Sequence, residues 1–334
     1  MKAQLLQNPA PVEDNPLELL DIPRPSLADR DLLVQVRVCG VCHTDLHVAE
    51  GDLPHPTLPI VPGHEVVGIV AEVGAAATRF RPGARVGIPW LHDACGACEY
   101  CQRGEENLCQ KARFTGYTAN GGYAEYLTVP EDFAVPLPDR FSDVEVAPLL
   151  CAGIVGYRSL RLADLRTGER LGLYGFGGSA HICIQVAHHW GCEVFVFTRS
   201  ADHQQHARDL GAAWVGTAHD EPPRLLDRAI IFAPVGWLVP LALRHLRPAG
   251  TLCINAIHTS PIPEMPYHLL WHERTIRTVA NATRRDAEEF LALAAEVPVV
   301  TETRRFGLAD ANQVLQMLKR SEIKGAAILD MSLP

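Results

Sequence analysis

Apolar and polar positions in the second half of the chain come in blocks. From Glu169 the sequence ERLGLYGFGGSAHICIQVAHHWGCEVFVFTRS passes through an apolar run, a glycine-rich turn, an amphipathic stretch and a second apolar run. This predicts a strand over 171–174, a helix to about residue 190 and a second strand, which together form a βαβ unit. Further short apolar runs at about 228–233, 251–256 and 275–280, separated by helical or loop segments, predict an open parallel sheet. Before Gly156 the chain is instead rich in Val, Gly and Pro, with short strands expected at 32–38, 66–73 and 123–129. The pattern therefore predicts a β-rich first half and an α/β second half, without internal repeats or low-complexity tracts.

Composition narrows the class further. A chain of 334 residues should hold about two domains, each able to bury a core. Hydrophobic residues at 47 % and charged residues at 21 % exclude a largely disordered, collagen-like or coiled-coil protein. With 30 basic against 39 acidic residues the formal charge is −9, and there is no local basic patch, so neither nucleic acid nor an anionic membrane is an expected partner. The longest uncharged run, 229–243, is interrupted by Pro234, Gly236 and Pro240 and is shorter than the roughly 18–20 apolar residues of a spanning helix. The N-terminal residues lack the apolar core of an export signal, so the expected location is cytoplasmic. Ten cysteines in such a chain point to metal sites or buried thiols rather than to a disulfide framework.

Cysteine spacing supplies the strongest local signal. Cys95, Cys98, Cys101 and Cys109 form C-x2-C-x2-C-x7-C, four soft ligands within fifteen residues, with Gly96 available for the turn. Four thiolates converging on one tetrahedral ion make a closed, structural zinc site. Two disulfides, an iron–sulfur cluster or a nucleic-acid zinc ribbon are the alternatives. Iron–sulfur runs usually carry proline after the last cysteine, whereas Gln110 stands here.

Two further segments, GVCHTDLHVAEGD (residues 40–52) and PGHEVVG (62–68), concentrate cysteine, histidine and acids. A catalytic zinc takes three protein ligands and keeps a fourth position open, and Cys2His is one recognised set. Cys42 and His64 are candidates by residue type; spacing does not identify a third. Cys39, Cys151, Cys183, Cys192 and Cys253 stand alone in sequence, as buried thiols commonly do.

The glycine-rich turn has the G-x-G-x-x-A pattern at Gly175, Gly177 and Ala180, with Gly178 and Ser179 between. The first glycine suits a tight turn, the second admits a pyrophosphate, and the third position needs a small residue for helix packing. Lying between a predicted strand and a helix N-terminus, the motif implies dinucleotide binding. At the end of the second strand Thr198, Arg199 and Ser200 stand where an NAD site usually has an acid for the ribose hydroxyls. Without that acid, and with a guanidinium and two hydroxyls, NADP is the expected preference over NAD.

Taken together, GVCHTDLH, PGHEVVG, the four-cysteine run, GGYAEY and YGFGGSAH, in this order over nearly the whole chain, resemble the zinc-dependent alcohol dehydrogenases of the medium-chain dehydrogenase/reductase family. CHTDLH is especially similar to the yeast and bacterial tetrameric branch. The resemblance implies a GroES-like catalytic domain from residues 1–155 and 281–334 and a Rossmann domain with a doubly wound parallel sheet from 156–280. It also implies that Cys151 completes a catalytic zinc set with Cys42 and His64. Asp45 would orient the histidine, Glu65 would support or transiently join the metal, and His43 would contact the cofactor pyrophosphate. In the implied reaction zinc polarises an alcohol or aldehyde oxygen and hydride passes to or from the nicotinamide. A proton would exit by way of Thr44, the cofactor ribose and His47. Trp90 matches a bulky pocket residue, and Leu53 replaces a frequent second tryptophan, implying room for medium-chain or aromatic primary alcohols. Ala256 and Ile257 match a segment lining the nicotinamide. A homo-oligomer, tetramer or dimer, with two zincs per chain is the corresponding expectation. A secondary-alcohol or polyol dehydrogenase of the same family, and a nucleotide-sensing scaffold carrying only the structural zinc, are the competing readings.

Overall fold

The computed structural model describes residues 1–54 and 56–333; the last residue of the expected C-terminal segment, Pro334, lies outside it. The chain opens with two antiparallel strands, β1 (Lys2–Leu6) and β2 (Leu17–Asp21). β3 (Asp31–Val41) follows, almost wholly buried, and hands the chain to α1 (His43–Glu50). β4 (Glu65–Val73) and β5 (Arg85–Ile88) lead to a small two-stranded element, β6 (Leu91–Asp93) with β7 (Arg113–Phe114), from which residues 94–112 project with α2 (Glu99–Gln102). β8 (Tyr126–Pro130), β9 (Val135–Pro136) and α3 (Asp143–Val146) complete this stretch.

α4 (Ala152–Leu162) precedes the parallel sheet strands β10 (Arg170–Tyr174), β11 (Glu193–Phe197), β12 (Trp214–Gly216), β13 (Leu226–Ile231), β14 (Leu246–Ile254) and β15 (Thr275–Thr278). Connecting helices are α5 (Gly178–His189), α6 (Ala201–Asp209) and α7 (Leu238–His245). The C-terminal stretch adds α8 (Arg284–Glu296), β16 (Thr303–Gly307), α9 (Ala311–Lys319) and β17 (Ala326–Asp330).

Two compact units result. The first comprises residues 1–151, 281–295 and 300–334, the second residues 152–280 and 296–299. The division falls just before α4, because that helix packs against α5: a Cβ on Gly178 of α5 would sit 3.6 Å from Ala152 of α4.

In the first unit the sheet order is β16-β17-β3-β4-β5-β9, with β8 also on β3. The late strand β17 pairs antiparallel with β3, Leu329 opposite Cys39, so the C-terminus closes the N-terminal sheet. Its core includes Val34, Val36, Val66, Val86, Ile88, Leu127 and Leu329. The second unit is a six-stranded parallel sheet of order β12-β11-β10-β13-β14-β15, the doubly wound arrangement. β13 is buried at all six positions, as a strand covered on both faces must be.

The strand expected at 123–129 begins only at Tyr126. Before it the backbone bonds largely elsewhere, Tyr123 N–H to the Pro62 carbonyl at 3.0 Å and Glu125 N–H to that of Lys2 at 3.1 Å, while the Glu125 carbonyl still accepts the Val36 N–H of β3 at 2.9 Å. Among the described residues no helix is long and apolar enough to cross a membrane.

Candidate active site

Three chain segments of the first unit bring the open-site residues together. β3 ends at Val41 and α1 begins at His43, so Cys42 is the N-cap, in extended conformation, with Asp45 at the third helical position. There the Asp45 carboxylate reaches back to the Cys42 N–H at 2.9 Å, satisfying an amide that the helix leaves free. β4 starts at Glu65, immediately after His64, and Gly40 lies opposite Glu65 in the β3–β4 register. A side chain on Gly40 would overlap the Glu65 carboxylate, so glycine is what allows that acid to turn inward. Cys151 arrives from the turn before α4.

The ligand atoms of Cys42, His64, Glu65 and Cys151 all lie within 4.8 Å of one another. Cys42 Sγ and Cys151 Sγ are 3.8 Å apart, which equals the edge of a tetrahedron with arms of about 2.3 Å, the zinc–thiolate distance. His64 Nδ1 donates to Asp45 Oδ1 at 2.9 Å, which turns Nε2 toward the thiols. His64 and Asp45 are each 1 % exposed. Two sulfurs, one imidazole and an inward carboxylate form a donor set of the zinc type, and the spacing fits one ion.

Protonation follows from crowding and burial. Contact with Cys151 is the chief cause that holds the Cys42 thiol well below the ordinary thiol range. The same contact, followed by burial, pushes Cys151 well up, since two thiols this close hold one negative charge before two. Burial disfavours a charged His64, yet Asp45 and Cys42 outweigh it and hold the imidazole well above its usual value. Burial, then the charge on Cys42, pushes Glu65 well up. A cation would bind thiolates and neutral imidazole here and release protons.

Around this cluster Thr44 Oγ1 lies 3.8 Å from Cys42 Sγ, and His47 Nδ1 meets Asp52 Oδ2 at 2.8 Å. His43 is exposed, and Leu53 is half-buried against the core of the first unit. Trp90 stands edge-on to His64, ring centroids 4.9 Å apart, and stacks on Phe114 and Tyr117 at 5.4 and 5.7 Å. Phe114 and Tyr117 escaped the sequence reading, because a two-residue strand and the turn after it are too short to carry a periodic signal. Tyr123 escaped it as well: its hydroxyl donates to Asp45 Oδ2 at 3.1 Å.

The second cysteine group closes on itself. Cys98 and Cys101 sulfurs are 3.6 Å apart and Cys95 and Cys101 are 3.9 Å apart, with all four ligand atoms within 4.8 Å. All ten cysteines are free thiols, so the disulfide alternative falls. Sulfurs this close match the tetrahedral edge of a single zinc ion, about 3.8 Å. Backbone N–H groups of Ala97 and Cys98 lower the Cys95 thiol to about 6, and desolvation with the Cys98 thiol raises Cys101 to about 12. The fold around them is loop, the short helix α2 without a buried residue, and a 3-10 turn at Glu106–Leu108 that buries Glu106 and Asn107.

In the second unit β10 ends at Tyr174 and Gly175 turns the chain with φ +90°, a conformation suited to glycine. Gly177 caps α5, and a Cβ there would meet nothing within 4 Å, leaving the space that a pyrophosphate would fill. Gly178 and Ser179 form the first turn of α5, and Ala180 is fully buried. Of the three residues after β11, Thr198 is buried, its N–H bonded to the Gly216 carbonyl, while Arg199 and Ser200 are exposed. Ser200 Oγ caps α6 by accepting the His203 N–H at 3.3 Å. Arg199 is the one exposed cation of the three. Ala256 and Ile257 follow β14, and Ile257 is 54 % exposed, so it is not core packing. Cys183, Cys192 and Cys253 are buried as expected. His188 on α5 is half-buried, its Nε2 buried without a hydrogen-bond partner.

Comparison with known proteins agrees with this geometry. Residues 28–139 match the alcohol dehydrogenase GroES-like domain, and residues 178–296 match the zinc-binding dehydrogenase model. A relative described as probable alcohol dehydrogenase AdhA, from Mycobacterium tuberculosis (strain CDC 1551 / Oshkosh), is 50 % identical over 335 residues, covering 98 % of this chain and 97 % of its own. Among solved structures, a cinnamyl alcohol dehydrogenase from Sorghum bicolor superposes with TM-score 0.89 at 27 % identity, over 98 % of both chains. The CAD from Helicobacter pylori complexed with NADP(H) gives TM-score 0.88 at 26 % identity over 99 % of both.

Proposed function

This chain belongs to the zinc-dependent alcohol dehydrogenases of the medium-chain dehydrogenase/reductase family, and on that premise we propose that its substrates are medium-chain or aromatic primary alcohols and their aldehydes, with NADP preferred. The carrying observation is the convergence of Cys42, His64 and Cys151, donor atoms within 4.8 Å, beside an aromatic wall of Trp90, Phe114 and Tyr117. The enzyme is an NAD(P)-dependent oxidoreductase acting on small alcohols and aldehydes.

Cys42, His64 and Cys151 hold the catalytic zinc, and Cys95, Cys98, Cys101 and Cys109 the structural one. Zinc bound at the first site would supply Lewis acidity toward the substrate oxygen, and a bound nicotinamide cofactor would supply the hydride chemistry. The protein's own residues orient and deprotonate. Asp45 fixes the tautomer of His64 by accepting from Nδ1. The Thr44 hydroxyl, near Cys42, takes the substrate hydroxyl proton into the relay, and His47, its Nδ1 held by Asp52, accepts a proton at Nε2. Glu65 would offer a buried carboxylate beside the metal set. Trp90 bounds the alcohol's carbon chain, with Leu53 on the half-buried α1-side loop leaving more room than a tryptophan would.

The first unit, its boundary falling before Ala152 rather than at the expected 155/156, serves as the catalytic domain and the second as the cofactor domain. There the Gly175–Ala180 turn takes the pyrophosphate, and Arg199 with Ser200 and Thr198 takes the 2′-phosphate. His43 meets the cofactor pyrophosphate; Ala256 and Ile257 line the nicotinamide. We assign a homo-oligomer, tetramer or dimer, and a cytoplasmic location, where cysteines that form no disulfide remain reduced.

The test is the initial rate of reduced-nicotinamide formation with benzyl alcohol and 1-butanol, run with NAD and with NADP, alongside a zinc count. Two zincs per chain and a higher kcat/KM for NADP are expected, and Arg199→Ala should raise the KM for NADP about tenfold while sparing NAD. A clear NAD preference would refute the Arg199 assignment. Sorbitol turning over faster than every simple primary alcohol would favour the polyol reading, and a single zinc per folded chain the sensing scaffold.

A further inference from the structure

We propose that Tyr123 is a positioning residue for the catalytic metal set, acting through Asp45, so that the residence of metal at Cys42, His64 and Cys151 depends on its hydroxyl. This rests on the reading of those three residues as ligands.

The Asp45 carboxylate is a hub. One oxygen takes His64 Nδ1 at 2.9 Å; the other takes the Cys42 N–H at 2.9 Å and the Tyr123 hydroxyl at 3.1 Å. A single acid thereby ties the backbone of one ligand residue to the ring of another, and Tyr123 supplies its remaining donor. Tyr123 is fully buried and Asp45 is 1 % exposed. Bulk water cannot take over the bond if the hydroxyl is removed, and a buried charged oxygen left a donor short carries a real penalty.

The tyrosine is itself held firmly. Its N–H bonds to the Pro62 carbonyl at 3.0 Å and its carbonyl accepts the Gln4 N–H at 2.8 Å. Its ring lies over Gly63, the residue before His64, where φ is +96° and a Cβ would overlap the ring. Tyr123 therefore braces both the backbone leading into His64 and the acid that aims its imidazole. Burial, then the charge on Asp45, keeps the phenol protonated well above its ordinary range, so it remains a donor throughout neutral pH. Nothing in this contact is local: 78 residues separate the partners.

Tyr123→Phe separates the two roles, since it keeps the ring and removes only the O–H. Full-length wild type and variant, each loaded with two zincs per chain, are challenged with a chromogenic chelator, and the release phase of the catalytic site is identified as the one missing from Cys42→Ser. Release of that zinc is expected to accelerate about tenfold in Tyr123→Phe, with the other phase unchanged and the melting temperature nearly so. Unchanged release from both sites, or acceleration of both together with a lowered melting temperature, would overturn the proposal. Visible absorption of the cobalt-loaded protein gives a second readout on any folded fraction. Its bands should shift in Tyr123→Phe, and identical spectra would count against the proposal. A wild type in which Cys42→Ser removes no release phase would instead refute the ligand reading itself.

Discussion

Asp45 and His64, nineteen residues apart, share a 2.9 Å hydrogen bond with both side chains 1 % exposed. Removing the charge while keeping the shape should therefore weaken the metal set without unfolding the protein. Asp45→Asn is expected to lower catalytic-site zinc affinity by about 10- to 100-fold, as outer-shell changes commonly do. Competition titration with a chelator measures this; unchanged affinity would show that the acid does not aim the imidazole.

The proposed substrate pocket includes Leu53, which is half-buried against the core of the first unit; an indole in its place would take up more of that pocket. Leu53→Trp should reduce kcat/KM for benzyl alcohol by roughly 10-fold or more while changing ethanol by less than about threefold, the range hydrophobic pockets achieve. Equal losses for both alcohols would indicate general damage instead.

The cysteine lobe depends on its metal for rigidity. Its α-helix, α2, has no buried residue, and the β6–β7 neck contributes two register pairs, Leu91 with Phe114 and Asp93 with Arg113. Cys98→Ser is expected to lose one of two zincs, lower the melting temperature by about 5–10 °C and expose residues 94–112 to protease. Retention of both zincs would remove Cys98 from the ligand set.

His92 carries an acid-side stability cost. It is 6 % exposed, its Nδ1 has no hydrogen-bond partner, and burial lowers its pKa to about 4. The folded state resists the proton that an unfolded histidine accepts near its ordinary value of about 6.5. Stability is then complete above that value and falls as pH drops toward 4, by on the order of 1–3 kcal/mol. Denaturant titrations from pH 7 to 4 should show this slope in the wild type and a shallower one in His92→Gln; parallel curves would contradict it.

Local spacing determined much of this protein. Four cysteines within fifteen residues, a glycine turn between a strand and a helix, and Cys42 three residues before Asp45 are legible because each rests on contacts between near neighbours in the chain. The order of the motifs supplied the family and, through it, Cys151. Tertiary structure alone decided which distant residues meet. Cys42 and Cys151 touch across 109 residues, and Tyr123 left its expected strand to reach Asp45. Trp90 gained two stacking partners, and β17 closed the N-terminal sheet beside β3. No periodicity encodes such pairs, because they form only when burial of two apolar sheet faces brings separate segments of chain to one place.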